Sequence, residues 1–380
     1  MNKERKKRFL SAITLCAVTM SFMTATSCGK PGDKKKKIAV ITKNKDVTFW
    51  DDVKAGAEDA GDELGYEILY TVADSDNDFS TQVAAINDAV DEDVEAIIIA
   101  PNGKTELNEA LKKAQDKGIT IININSGIEG EDVKVASLIS SSDKDGGDMA
   151  ARQAADGVLL NDGVRQVMSQ KGGASLDDVN KLGRGAVGIV QHSASTGKAR
   201  VDGFKTSTRT EVTRQLKEDG IDLEKYAEAS LQSDSPLNLD AMFDNFFVTA
   251  GDPVSSVKDA KDQAMTMLQA DDCNVRCIFA TNTNTTLGVC EAIRDLNKQE
   301  EVYVIGFNSD EQELAYLRTG ELDGTIIQNP YNMGYCGVRY AKKIEGGSRV
   351  PKTLDTGVTW VDAKNMNDDY IQLLIHPNGN

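Results

Sequence analysis

Short apolar runs alternate with longer amphipathic stretches along almost the whole chain. The runs are IAVIT (38–42), YEILYTV (66–72), EAIIIA (95–100), TIININ (120–125), AVGIVQ (186–191), CIFATN (277–282), VYVIGFN (302–308) and DGTIIQ (323–328). They are continuous rather than alternating, which predicts strands buried on both faces, hence parallel strands covered by helices. Helix-period stretches lie between them at 51–64, 78–91, 104–116, 145–159, 196–209, 256–269, 284–297, 309–319 and 332–345. Asp78 and Ser80 are placed to cap the second of these, and Gly65 and Gly118 stand where helix C-caps belong. Repeated βα units of this kind predict an α/β fold.

Two stretches break the rhythm. Residues 160–185 and 233–252 are polar, rich in Gly, Pro and Asp, and read as surface insertions. Phe243, Phe246 and Phe247 either dock the second of them on the body or line a ligand edge; docking is the expectation.

The start of the chain follows different rules. Lys3, Arg5, Lys6, Lys7 and Arg8 form a basic region ahead of an apolar segment, 9–23, of signal-peptide length and too short to span a membrane. Residues 1–27 are therefore read as a signal peptide. The ATSC that ends it resembles the lipobox of bacterial lipoproteins, with Ala25 where Leu is usual, so Cys28 is the expected lipidation site and plain secretory cleavage the alternative. Residues 28–37 then form a lipid-anchored tether whose Lys34, Lys35, Lys36 and Lys37 can sit near anionic headgroups. Either route exports the protein.

Charge narrows the partners. Removing 1–27 takes away five basic residues and one acidic one, deepening the net charge from −17 to −21. Such a balance disfavours nucleic acid. Of the six cysteines, Cys273, Cys277, Cys290 and Cys336 lie in the expected folded part. With only His192 and His376 in the chain they make no zinc pattern. They are expected to be small buried hydrophobes, with a disulfide among the four as the open alternative. No metal or cofactor is expected.

Candidate chemistry sits at the ends of the runs. Four finish in a side-chain amide: Asn125, Asn282, Asn308 and Gln328. A buried unpaired amide costs roughly 1–3 kcal/mol, so four of them suggest a shared polar partner. Amides donate and accept, as hydroxyl groups do. Arg200, in TGKARVDGFKT, offers a planar fork for two adjacent ligand oxygens, and Lys43 ends the first strand. Phe49 and Trp50 follow that strand in the loop where open parallel sheets hold ligands. They either face a flat, partly apolar ligand or pack under the next helix. Enzyme motifs are lacking: HSASTGKA (192–199) has neither the leading Gly of a phosphate loop nor a Ser or Thr after Lys198, and DSDND (74–78) has Phe79 and Ala85 where a calcium loop needs Gly and Glu.

These residues carry a resemblance to the type I periplasmic solute-binding proteins of bacterial sugar ABC transporters, especially the ribose/galactose-binding branch. IAVITKNKDVTFWDDVKAGAEDAGDELGY resembles the family's opening unit, whose aromatics pack on the sugar ring. GITIININSG places Asn125 and Ser126 after the fourth strand, KARVDGF carries the family's Arg at Arg200, and IFATNTNTTLG places Asn282 at a ligand position. VIGFN has Asn308 where the family usually has Asp, and GTIIQNPYNMG puts Gln328 at a ligand and hinge position. The resemblance implies two doubly wound parallel-sheet lobes joined by three crossings, 38–141 plus 329–356 and 142–328 plus 357–375, closing on a ligand. It also implies a permease, its ATPase and a monosaccharide as partners, and a monomer.

The departures concern charge. Asn125 and Asn308 replace family carboxylates, and Ser142–Asp143 stands where Asp–Asn is common. Lys43 and Arg200 are left with no assigned acid, so Asp46, Asp51, Asp310 or the ligand itself must supply one. A neutral monosaccharide or polyol is the expectation, with a sugar acid or phosphorylated polyol the alternative. A sensor that presents its ligand to a membrane receptor is the other functional reading. Repressors of the same fold need an N-terminal DNA-binding helix pair, where this chain has an export signal.

Overall fold

The computed structural model describes residues 35–45, 48–155, 185–231, 236, 238–271 and 274–377. The expected signal peptide, Cys28, Asp46, Cys273 and nearly all of the 160–185 stretch lie outside the described residues.

The described chain divides into two compact units. The first begins with β1 (Lys36–Thr42), α1 (Phe49–Leu64), β2 (Tyr66–Val72), α2 (Phe79–Asp91), β3 (Ala96–Ile99), α3 (Asn108–Asp116), β4 (Thr120–Ile124) and β5 (Val135–Ser140). The second runs through α4 (Asp143–Ala154), β6 (Val187–Val190), α5 (Ser195–Glu218), α6 (Leu223–Ser230), α7 (Leu239–Asp244) and β7 (Phe247–Val248). It continues through α8 (Val257–Leu268), β8 (Cys277–Ala280), α9 (Thr283–Leu296), β9 (Tyr303–Phe307), α10 (Glu311–Thr319) and β10 (Gly324–Ile327). The closing elements alternate: α11 (Pro330–Glu345) and β11 (Thr353–Asp355) belong to the first unit, β12 (Thr359–Asp362) to the second, α12 (Asp369–Ile375) to the first.

Each unit holds one six-stranded sheet. The first has the order β11-β5-β4-β3-β1-β2, parallel throughout. The second has β12-β10-β9-β8-β6-β7, parallel except for β12. Both sheets are doubly wound, with the strand order reversing between β1 and β3 and between β6 and β8. Such reversals open a crevice at the strands' carboxyl ends. The continuous apolar runs have the predicted cause. In β1, Ile38 and Val40 enter a core with α1 and α11, while Ala39 and Ile41 enter another with α2 and α3.

Several expectations change. The chain passes between units after Ser140, Gln328 and Thr356, and once more after Met366. The segment 367–375 therefore joins the first unit rather than the second, with Ile371, Leu374 and Ile375 of α12 buried. The tether ends earlier than 37, because Lys36 and Lys37 already belong to β1. Lys36 pairs with Glu95 (2.9 Å) and Glu345, and Lys37 with Glu92. The described part of 233–252 is no surface insertion: it supplies α7 and edge strand β7, and Phe243 and Phe246 are buried in the second unit's core with Phe247 packed on them. Cys277, Cys290 and Cys336 are free thiols, and burial pushes all three upward in pKa.

Candidate ligand-binding site

In the first unit the carboxyl ends of β1 and β3 are fixed by Gln82. Its buried amide donates to the Thr42 carbonyl (3.1 Å) and the Ala100 carbonyl (2.8 Å) and accepts from the Asn102 N–H (2.9 Å). Lys43 follows β1 and is partly exposed. Phe49 and Trp50 meet edge-on, with ring centroids 4.8 Å apart at 79°. They are not equivalent. Trp50 is 6% exposed and heads the buried stripe Trp50, Val53, Ala57, Ala60 of α1, so the indole packs under the helix while Phe49 stays partly open. Asn125, after β4, adopts φ +60°, a left-handed conformation that Asn tolerates better than most residues. Ser126 donates its hydroxyl to the Pro101 carbonyl at 3.3 Å.

In the second unit Arg200 is 3% exposed and held by three neighbours. Its Nε donates to Asp143 Oδ1 at 2.8 Å, its Nη1 donates to the Thr281 carbonyl at 2.6 Å, and its guanidinium lies 3.6 Å from the centre of the Phe307 ring. Asp143 is thus the acid that Arg200 needs, which corrects the expectation of Asp46, Asp51 or Asp310. Asp51 is exposed on α1, Asp310 caps α10, and Asp46 lies outside the described residues. Two glycines make the pairing possible. A Cβ on Gly147 would stand 2.1 Å from the Arg200 carbonyl oxygen, and one on Gly203 would stand 2.5 Å from that of Lys144. Only without those Cβ atoms can α4 and α5 approach closely enough. Burial pushes the guanidinium pKa down, and Asp143 opposes that shift.

The amides divide by role. Asn282 caps α9, accepting from the Thr285 N–H at 3.0 Å within a reciprocal capping box. Asn308, after β9, has φ +88°. Its Nδ2 donates to Thr283 Oγ1 at 3.2 Å, and its Oδ1 accepts from Gln328 Nε2 at 3.1 Å. Asn308 and Gln328 thus satisfy each other in part, which answers some of the need for a shared partner. His192 ties the next loop down: its N–H donates to Thr281 Oγ1 at 2.8 Å, and its Nδ1 lies 2.8 Å from the same oxygen.

Sequence reasoning missed Gln82, Thr281 and Thr283, and named Asp143 without seeing it as the partner of Arg200. The helical spacing of Trp50, Val53, Ala57 and Ala60 was a signal that Trp50 belongs to the core. For Asp143 the hints were its place in Ser142–Asp143, where the family commonly has Asp–Asn, and small residues in two helices, Gly146 and Gly147 in one and Gly203 in the other.

Residues 38–348 match the Periplasmic binding protein domain family. The chain belongs to that family. Among curated relatives of this periplasmic binding protein, the D-allose-binding periplasmic protein of Escherichia coli (strain K12) is 24% identical over 316 residues, 82% of this chain and 85% of the relative. The Ribose import binding protein RbsB of Bacillus subtilis (strain 168) is 25% identical over 348 residues, 89% of this chain and 94% of the relative. The fold matches a carbohydrate transporter solute binding protein from Agrobacterium radiobacter, solved with D-arabinose, at TM-score 0.65 and 25% identity, covering 90% of this chain and 99% of that one. It also matches an ABC transporter solute binding protein from Agrobacterium vitis, bound to α-D-tagatopyranose, at TM-score 0.67 and 22% identity, over 90% and 99%. No helix among the described residues is long and apolar enough to cross a membrane.

Proposed function

We propose that this periplasmic binding protein is the extracytoplasmic substrate-binding component of an ABC transporter and takes a neutral monosaccharide or related polyol. Family membership and the sugar-binding relatives support the class. The observation that carries the neutral ligand is the Asp143–Arg200 pair at 2.8 Å: the buried cation already has its counter-charge, so an anionic ligand is not required to balance it. An acid placed there would face Asp143 as well as Arg200.

The residues assigned to the ligand are Lys43, Phe49, Asn125 and Ser126 in the first unit and Arg200, Asn282, Asn308 and Gln328 in the second. Trp50 acts mainly as the wall behind Phe49. Arg200 contributes the hydrogens its two bonds leave over, and the Asn308–Gln328 pair keeps one Nδ2 hydrogen and the Gln328 carbonyl for hydroxyl groups. Neutral bonds contribute about 0.5–1.5 kcal/mol each and charged ones about 1.5–3. Several of them together with ring packing match micromolar affinity, about −8 kcal/mol.

Export through residues 1–27, lipid attachment at Cys28, a monomeric state and a permease–ATPase partner complete the proposal. Loss of the lipidated peptide in Cys28→Ser, read by mass spectrometry, tests the anchor. A thermal-shift panel of neutral sugars, polyols and sugar acids tests the ligand class: a ligand at 100 times its Kd adds about 2.7 kcal/mol. A neutral sugar should raise the melt, and a panel in which only acids do so overturns the assignment.

A further inference from the structure

Glu313 is fully buried in the first turn of α10. One carboxyl oxygen, Oε2, accepts from the Asp310 N–H at 2.7 Å and closes a capping box. Capping alone does not call for full burial: Asp78 and Asp222 cap their helices from half-buried positions. The other oxygen, Oε1, is buried without a hydrogen-bond partner, and the hydroxyls of Thr283 and Thr286 lie beside the carboxyl. The Thr286 hydroxyl is committed, donating to the Asn282 carbonyl at 2.8 Å and accepting from the Phe307 N–H at 3.1 Å. Thr283 is not: its oxygen accepts from Asn308 Nδ2, which leaves its own proton for the carboxyl.

We propose that Glu313 is a positioning residue which, acting through Thr283, sets which way round the Asn308 and Gln328 amides point and therefore which groups they offer a ligand. The consequence for binding rests on the reading of Asn308 and Gln328 as ligand-facing; the relay itself does not.

Donation is observed to run Gln328 → Asn308 → Thr283, and with Glu313 ionised the relay is completed when the Thr283 proton turns to the carboxylate beside it. A proton taken from solvent goes to Oε1, because Oε2 is held by the Asp310 N–H. That Oε1–H donates to Thr283, whose proton turns to Asn308. Asn308 must then present Oδ1 to Thr283 and Nδ2 to Gln328, and Gln328 must accept through Oε1. Two amide flips reverse the chain without displacing the backbone. Burial, with Asp310 beside it, pushes the Glu313 pKa up to about 8 against the Asp310 N–H and the two hydroxyls, so both forms are populated near neutrality. Beyond Asp310, the titratable group that feels Glu313 is Cys290 on α9, which Arg294 on the same helix and Glu321 and Asp323 after α10 also influence. The Cys290 thiol is kept neutral by burial, and burial raises Asp323 to about 6.

The test is 15N NMR of the side-chain amides in sugar-free protein, with signals assigned by their loss in Asn308→Asp and Gln328→Glu. Between pH 6 and 10 both NH2 pairs should shift through one common midpoint. They should stay flat in Glu313→Gln and in Thr283→Val, which keeps the carboxyl but removes the relay. Flat signals in the wild type, or a midpoint that persists in either variant, overturn the proposal. If Glu313→Gln does not fold, Thr283→Val decides. Across the same range the Kd for whichever of D-ribose, D-allose or D-arabinose binds should change at least threefold in the wild type and stay constant in Thr283→Val. If none of the three binds while the amides titrate, the sugar reading fails and the relay stands.

Discussion

Asp143 and Arg200, 57 residues apart in sequence, form a buried ion pair in which the guanidinium also lies against the Phe307 ring. The neutral-ligand proposal rests on this pair, and two of its consequences can be measured in one variant.

Asp143→Asn should leave the guanidinium uncompensated. Breaking a buried pair costs about 3–5 kcal/mol. Since the Asp143 side chain keeps 19% exposure, a loss near the lower figure is expected in urea unfolding. The same variant should bind a sugar acid at least tenfold more tightly than the wild type does. Unchanged acid affinity would mean that Asp143 does not set ligand charge.

Phe49 and Trp50 should separate in their effects. Trp50→Ala removes a buried indole and should cost about 3–5 kcal/mol of stability. Phe49→Ala should cost much less stability but weaken sugar binding tenfold or more. Denaturant midpoints and Kd values measured on both variants distinguish the core residue from the ligand-facing one.

That pair also shows where the sequence is readable. Runs such as AIII in β3 announce strands covered on both faces, and their amphipathic partners announce the helices, so parallel βα units follow from local pattern, whereas the two doubly wound lobes came only with the family resemblance. Strand β5 escapes because a register shift against β4 and two serines blur its period, β7 and β11 are too short to show one, and β12, TWVD, begins and ends on a polar residue and so shows no apolar run. Strand-end positions identify Asn308 and Gln328, but not that they bond each other. The acid for Arg200 and the burial of Glu313 depend on helix packing between distant segments, which no local pattern encodes.

The close approach of α4 and α5 is testable by itself. Gly147→Ala places a methyl group 2.1 Å from the Arg200 carbonyl oxygen, so the helices must part. Overpacking of this kind costs about 1–3 kcal/mol. The displaced Arg200 should also lose affinity, whereas Gly65→Ala, with open space around it, should leave affinity unchanged.

Stability should fall as pH rises across neutrality. Glu313 holds its proton in the folded state up to about 8, while the unfolded chain releases it near 4.5. Between those values the folded state binds more protons, so the unfolding free energy declines by up to about 1.4 kcal/mol per pH unit and levels off above pH 8. Asp52, raised to about 7 by burial and by Asp51, adds the same sign over a shorter window. Glu313→Gln should flatten the upper part of the slope in urea titrations from pH 5 to 9.

Calorimetric titration of the wild type and of Arg200→Lys with D-ribose, D-allose, D-arabinose and D-galacturonate bears most directly on the central claim. The account predicts that at least one neutral sugar binds the wild type with Kd of about 1 μM or tighter, more tightly than the acid. It predicts a loss of tenfold or more in Arg200→Lys, because Lys lacks the planar fork that holds Asp143, Thr281 and a hydroxyl together. Preference for the acid, or full affinity in Arg200→Lys, would contradict it.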